Sequence, residues 1–219
     1  MLMNLLGGGD PRAYLIQILL SLPIVLIALC LHETAHGFVA YKLGDPTARN
    51  LGRLTLNPMK HLDPIGFLCM LLFGFGWAKP VPINTRYFKN PKRDMALSAL
   101  AGPVSNLLLA VVFALLLKLY YSFFLLSVSS EVAYFIYLFF VLGIKLNITL
   151  AVFNLIPIPP LDGSRIMLLF LPTETYFKIM RYERYLSIGL MIALAFGLLD
   201  TPINFVSNLF LRLITNLIF

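Results

Sequence analysis

The sequence predicts an all-α polytopic membrane protein, and three observations support that fold class. Of its 219 residues, 59% are hydrophobic and 12% charged, about half the roughly 25% charged share of a soluble domain. The apolar residues gather in long runs and the mean hydropathy is +0.86, as expected of a chain that lives in a bilayer. The basic residues cluster beside some of those runs and are missing beside others, the asymmetry that membrane orientation produces. The expected architecture is about five to six transmembrane helices with a re-entrant segment and short membrane-associated β strands. These form one integral-membrane domain over residues 1–219, with a core at about 14–165 and C-terminal helices at about 184–219.

The first apolar run, residues 14–41, is long enough to span, and Lys42, Gly44, Asp45 and Pro46 close it. Residues 47–56 alternate in part around Arg49, Leu51 and Arg53, which predicts short strand. Residues 65–77 are apolar but too few to cross, which predicts a re-entrant or buried segment. Pro80 and Pro82 in the following Trp77-Ala78-Lys79-Pro80-Val81-Pro82-Ile83-Asn84 forbid helix and favour an extended segment with a free edge.

Residues 97–121 are a second span, opened by Asp94 and containing Gly102 and Pro103. Residues 132–156 are a third, stopped by Pro157, Pro159 and Pro160. Residues 166–171 are a short apolar stretch, and residues 185–199 a short fourth span. Asn204, Asn208, Arg212 and Asn216 make residues 202–219 either a span with polar contacts or a helix at the interface.

Charge sets the expected orientation. Lys42, Arg49, Arg53, Lys60, Lys79, Arg86, Lys89, Lys92 and Arg93 form one basic cluster, and Lys178, Arg181 and Arg184 a second. The turns at residues 121–131 and 199–202 contain no Lys or Arg. The positive-inside rule places both clusters in the cytoplasm. Both ends of the 65–77 run are then cytoplasmic, consistent with a re-entrant hairpin. The net charge of +7 therefore reads as membrane orientation and not as nucleic-acid binding. Cys30 and Cys69 form no CxxC pair and read as small apolar residues. The N-terminus has no basic n-region, so no cleavable signal peptide is expected.

The chemistry is concentrated in Leu31-His32-Glu33-Thr34-Ala35-His36. Positions i and i+4 share a helix face, so His32 and His36 can direct two imidazoles at one metal. Glu33 can then reach a water on that metal as general base. Zinc suits such a site because it polarises a carbonyl and lowers the pKa of bound water towards ~7. HExxH is a short pattern, and its histidines can instead make hydrogen bonds in a core. Here, however, it follows an apolar run, and three ionisable residues in one turn of a spanning helix are expensive without a function. A catalytic zinc needs a third protein ligand and one open position. Asp45, His61, Asp63 and Asp162 are the candidates. Asp162 is favoured because the prolines before it end the third span at a depth comparable to that of the histidines; its other role is to cap the segment that follows.

Two separated motifs, His32-Glu33-Thr34-Ala35-His36 and the run from Asn154 to Gly163, resemble those of the site-2 protease family of intramembrane zinc metalloproteases. The stretches from Phe75 to Pro82 and from Ala101 to Asn106 are also similar, and the resemblance covers residues 15–165. It implies one Zn2+ per chain held by His32, His36 and Asp162, with Glu33 activating water and Asn154 donating to the substrate carbonyl in an oxyanion role. Asn154 can alternatively serve as an interhelical hydrogen-bonding residue. The resemblance further implies single-span membrane-protein or signal-peptide substrates, cut within or near their transmembrane segments in regulated intramembrane proteolysis, and it is compatible with a regulatory membrane partner. The stretch from Gly44 to Arg93 is too short for a PDZ domain, which points to the small bacterial and archaeal members. Extended segments near residues 51–56 and 81–84 would offer a strand edge to an unwound substrate. Lys145, inside the third span, invites either a functional role or snorkelling. Two competing uses of the same polar cluster are an ion transporter, which would be expected to show repeated halves, and a catalytically inactive membrane scaffold.

Overall fold

Long apolar runs become long helices because a backbone in hydrocarbon must bond to itself. The computed structural model describes residues 11–73, 76–123 and 129–219. Gly74 and Phe75 in the predicted re-entrant run and residues 124–128 in the predicted far turn lie outside the described residues.

Helix α1 spans Pro11–Lys42, α2 is the single turn Thr47–Asn50, and α3 spans Pro64–Phe73. Two long helices follow, α4 (Pro91–Phe123) and α5 (Ser130–Asn154). Then come α6 (Asp162–Ile166), α7 (Thr173–Met180), α8 (Glu183–Ala195) and α9 (Asp200–Ile218). Three helices, α1, α4 and α5, are each long and apolar enough to cross a membrane, and α8 with α9 makes a fourth if that bent pair counts as one span. The expected five to six spans are not reached by length and apolarity. Helix α8 has 13 residues, about 20 Å of helix against a hydrocarbon core of roughly 30 Å.

The predicted second span begins earlier than Asp94. Asn90 starts α4: its side chain accepts from the Arg93 amide, while Asp94 Oδ2 accepts from the Asn90 amide. This reciprocal cap satisfies donors that a helix start leaves open.

The predicted strand at residues 47–56 is corrected by the structure. Asp45, fully buried, accepts hydrogen bonds from the Thr47 amide and hydroxyl and so starts the helical turn α2. Residues 51–56 are turns and irregular chain, and the described residues contain no strand, only an isolated antiparallel bridge between Leu62 and Ala78. That bridge lies across the base of the 65–77 run, and the Lys79 amide bonds the His61 carbonyl beside it at 2.8 Å. The run therefore returns to the level at which it started.

The core is built by α1, α4, α5 and α9 around Ile24, Phe113, Leu117, Ile144, Ile148, Ile203 and Ile214. Small residues such as Ala99, Gly102, Ala110, Ala114 and Gly143 let the backbones come close, the usual packing mode where lipid supplies no hydrophobic driving force. Helix α9 starts beside Val152, Leu155 and Ile156 at the end of α5. It finishes where Lys118, near the opposite end of the bundle, donates to the Ile218 carbonyl.

Candidate metal centre

The last third of α1 carries His32 and His36 one turn apart, with ring centroids 4.5 Å apart and Nε2 atoms 3.0 Å apart. The prolines after α5 turn the chain back, and the first residue of α6, Asp162, arrives opposite both rings. Its Oδ2 lies 3.1 Å from His32 Nε2 and 3.2 Å from His36 Nε2. The turn that delivers it is held by the Leu161 amide on the Ile158 carbonyl and by the Ser164 hydroxyl on the Leu161 carbonyl.

These three atoms form a nearly equilateral triangle. Tetrahedral zinc with ligands at about 2.0–2.1 Å separates its ligand atoms by roughly 3.3 Å, close to the 3.0–3.2 Å observed. The tautomer fits as well. His36 Nδ1 lies 2.8 Å from the Ser98 carbonyl, which can only accept, so Nδ1 carries the proton and Nε2 presents a lone pair to the cluster. Asp162 Oδ2 is buried with no hydrogen-bond donor of its own, the state of a group whose partner is a cation.

Helix α4 forms the back of this site. Ser98 secures His36 twice, accepting from Nδ1 through its carbonyl and donating its hydroxyl to the His36 carbonyl at 3.0 Å. Gly102 lies directly against both rings: a Cβ there would sit 2.5 Å from His36 Cε1 and Nε2 and 2.6 Å from His32 Cε1. The sequence pointed to Gly102 only as part of the second span and of a family-like stretch, and did not point to Ser98 at all.

Glu33 Oε2 accepts from the Val81 amide at 2.8 Å. The extended proline segment is therefore against the site, but the Val81 N–H is not a free edge. Asn154, at the end of α5, turns its amide back to the Leu150 carbonyl at 3.0 Å. The other ligand candidates are occupied elsewhere. Asp45 Oδ2 accepts from the Asn84 amide at 2.6 Å, His61 Nε2 lies 2.7 Å from the Thr55 carbonyl, and Asp63 caps α3 through the Ile65 and Gly66 amides. Lys145 is exposed on α5, away from the buried cluster.

Comparison with known proteins gives the family. The family model described as Peptidase family M50 matches residues 20–199, a stretch holding both motifs and the whole triangle. The chain belongs to peptidase family M50. This is the site-2 protease family that the motifs resemble. Among curated relatives, a Bacillus subtilis protein bearing a zinc-metalloprotease name, YwhC, is 45% identical over 164 residues, covering 74% of this chain and 73% of its own. A Mycolicibacterium smegmatis protein with a zinc-metalloprotease name, Rip2, is 34% identical over 159 residues, covering 70% of this chain and 58% of its own. A Methanocaldococcus jannaschii protein, also bearing a zinc-metalloprotease name, is 30% identical over 158 residues, covering 72% of this chain and 73% of its own. No solved structure matches the chain. This M50 member is a membrane zinc metalloprotease that hydrolyses peptide bonds.

Proposed function

We propose that this M50 protease cleaves a peptide bond within or next to the transmembrane segment of a membrane-protein substrate, from the cytoplasmic side. The observation that carries this reading is that the triangle lies within the helix bundle, with His32 and His36 buried and Asp162 partly so. His36 lies six residues before the end of α1 at Lys42, about 9 Å along the helix. A water-soluble loop could reach that depth only by entering the bundle, whereas an unwound membrane segment is already at that level.

In this reading His32, His36 and Asp162 hold zinc, which when bound supplies Lewis-acid polarisation and a water of lowered pKa. Glu33 takes the proton from the attacking water and returns it to the leaving amine as the carbon–nitrogen bond breaks. Asn154 swings its amide from the Leu150 carbonyl to the substrate oxygen that gains negative charge. A cavity of about 410 Å³ opens on the face of α1 that also carries the histidines, at Val25 and Leu29, and Phe67, Trp77, Leu150 and Phe153 also line it. Its apolar walls suit the side chains of an unwound membrane segment.

The topology proposed has the basic clusters in the cytoplasm and the 65–77 run as a re-entrant hairpin. Helix α9, 19 residues long or about 28 Å, crosses from the level of the site to the far side where Lys118 holds its end. Helix α8, bent 81° from it, lies along the cytoplasmic surface. Single-span proteins or signal peptides are the proposed substrates, and a membrane partner is the proposed regulator.

The test uses purified protein in liposomes with a single-span reporter labelled on both sides of its membrane segment. The expected result is one cut within or beside the segment, abolished by Glu33→Gln. Cleavage confined to a soluble loop of the reporter, or unaffected by Glu33→Gln, would overturn the proposal.

A further inference from the structure

Pro80-Val81-Pro82 leaves a single backbone donor between Lys79 and Ile83, because proline has no N–H. That one donor, the Val81 amide, goes to Glu33 Oε2 at 2.8 Å. Both residues are buried, so water does not replace the bond. The neighbouring Lys79 is held at both ends: its amide bonds the His61 carbonyl at 2.8 Å, and its carbonyl accepts from Arg53 Nη2 at 2.7 Å. Arg53 is itself buried, its Nε has no partner, and its ion-pair partners among the described residues include no carboxylate. A buried guanidinium used only on a main-chain carbonyl is costly, and here it restrains the segment two residues from Glu33's donor.

A second tether joins the same turn of α1 to the same loop. The Thr34 hydroxyl donates to the Thr55 carbonyl at 2.9 Å, and His61 Nε2 shares that carbonyl. Packing reinforces both. Gly37, one turn after Glu33, admits Leu54 and Val81, since a Cβ there would lie 2.8 Å from Leu54 Cδ2 and 3.0 Å from Val81 Cγ1.

We infer that the Val81 amide positions the catalytic base by holding Glu33 Oε2, and that Arg53 is a positioning residue that keeps this amide in place through Lys79. Proton transfer then falls to Oε1, which is presented in one orientation. This assignment rests on the proposed role of Glu33. It also replaces the idea of a free strand edge at Val81: the segment serves the base and not the substrate backbone.

The experiment has two readouts on the full chain. In zinc-free protein, hydrogen–deuterium exchange of the peptide Ala78–Pro82 reports one amide, that of Val81, because its first two residues lose their label by back-exchange and the two prolines have no N–H. Glu33→Ala and Arg53→Met should each raise its exchange at least about 10-fold over wild type, with Arg53→Lys between wild type and Arg53→Met. In the liposome cleavage assay, Arg53→Met and an ester in place of the Val81 amide should each lower kcat about 10-fold, with KM and zinc content unchanged. Combined, they should cost little more than either alone, because they act through one contact. Raised KM with unchanged kcat would assign the segment to substrate binding and overturn the inference. So would loss of zinc, unchanged exchange or unchanged kcat. A wild type that cleaves nothing refutes the proposed reaction, while the exchange arm still decides whether Arg53 and Glu33 hold the amide.

Discussion

Gly102→Ala tests the metal centre from behind. The added methyl would lie 2.5 Å from His36 Cε1 and Nε2 and 2.6 Å from His32 Cε1. Ordinary van der Waals contact begins at 3.4 Å, so the rings or α4 must move by about 0.9 Å (3.4 minus 2.5). His36 cannot swing away freely, because Ser98 holds both its ring and its carbonyl. Overpacking of this kind costs about 1–3 kcal/mol of stability, which a thermal melt in detergent would register as a modest loss. The larger effect falls on zinc. Ligand distances in a working site hold to about ±0.2 Å, so a shift of 0.9 Å should lower zinc affinity at least about 10–100-fold. The assay is zinc per chain by elemental mass spectrometry after dialysis against graded chelator. Gly189→Ala is the control, since nothing lies within 4 Å of a Cβ there. If Gly102→Ala kept its zinc at the same chelator concentrations as wild type, the close packing of α4 on both rings would be wrong.

Four further outcomes are expected. His36→Ala and Asp162→Ala should each lose most of the bound zinc in protein that still melts cooperatively, as measured by elemental analysis. Glu33→Gln should retain zinc while cleavage falls by about 10²–10⁴, the share of a general base, as measured by reporter turnover. Asp45→Ala should lower stability by about 1–3 kcal/mol by leaving the Asn84 amide and the start of α2 unpaired; folded protein should keep its zinc. In a variant lacking Cys30 and Cys69, a cysteine at position 219 should label from outside sealed right-side-out vesicles and one at position 89 only after permeabilisation. The reverse pattern would overturn the proposed topology.

The sequence alone was enough for the membrane class and the three long spans, and it named His32, His36 and Asp162, which the fold brings together, because these rest on local facts. Apolar length decides what can cross a bilayer, helical spacing puts two histidines on one face, and prolines end a span where they stand. The strand expected at residues 47–56 failed for an equally local reason: alternation over so few residues cannot outweigh a carboxylate that accepts from the Thr47 amide. What the tertiary structure decided is non-local. Ser98 and Gly102 lie more than 60 residues from His36 and carry no chemistry in their own neighbourhood. The flanking prolines make Val81 the one donor of its segment, but that its N–H meets Glu33, 48 residues away, is written in no sequence pattern. Helix α9 is anchored at the far end by Lys118, a pairing across 100 residues. Such partners are chosen by which surfaces fit when the helices pack, and close packing is a property of the assembled bundle rather than of any one segment.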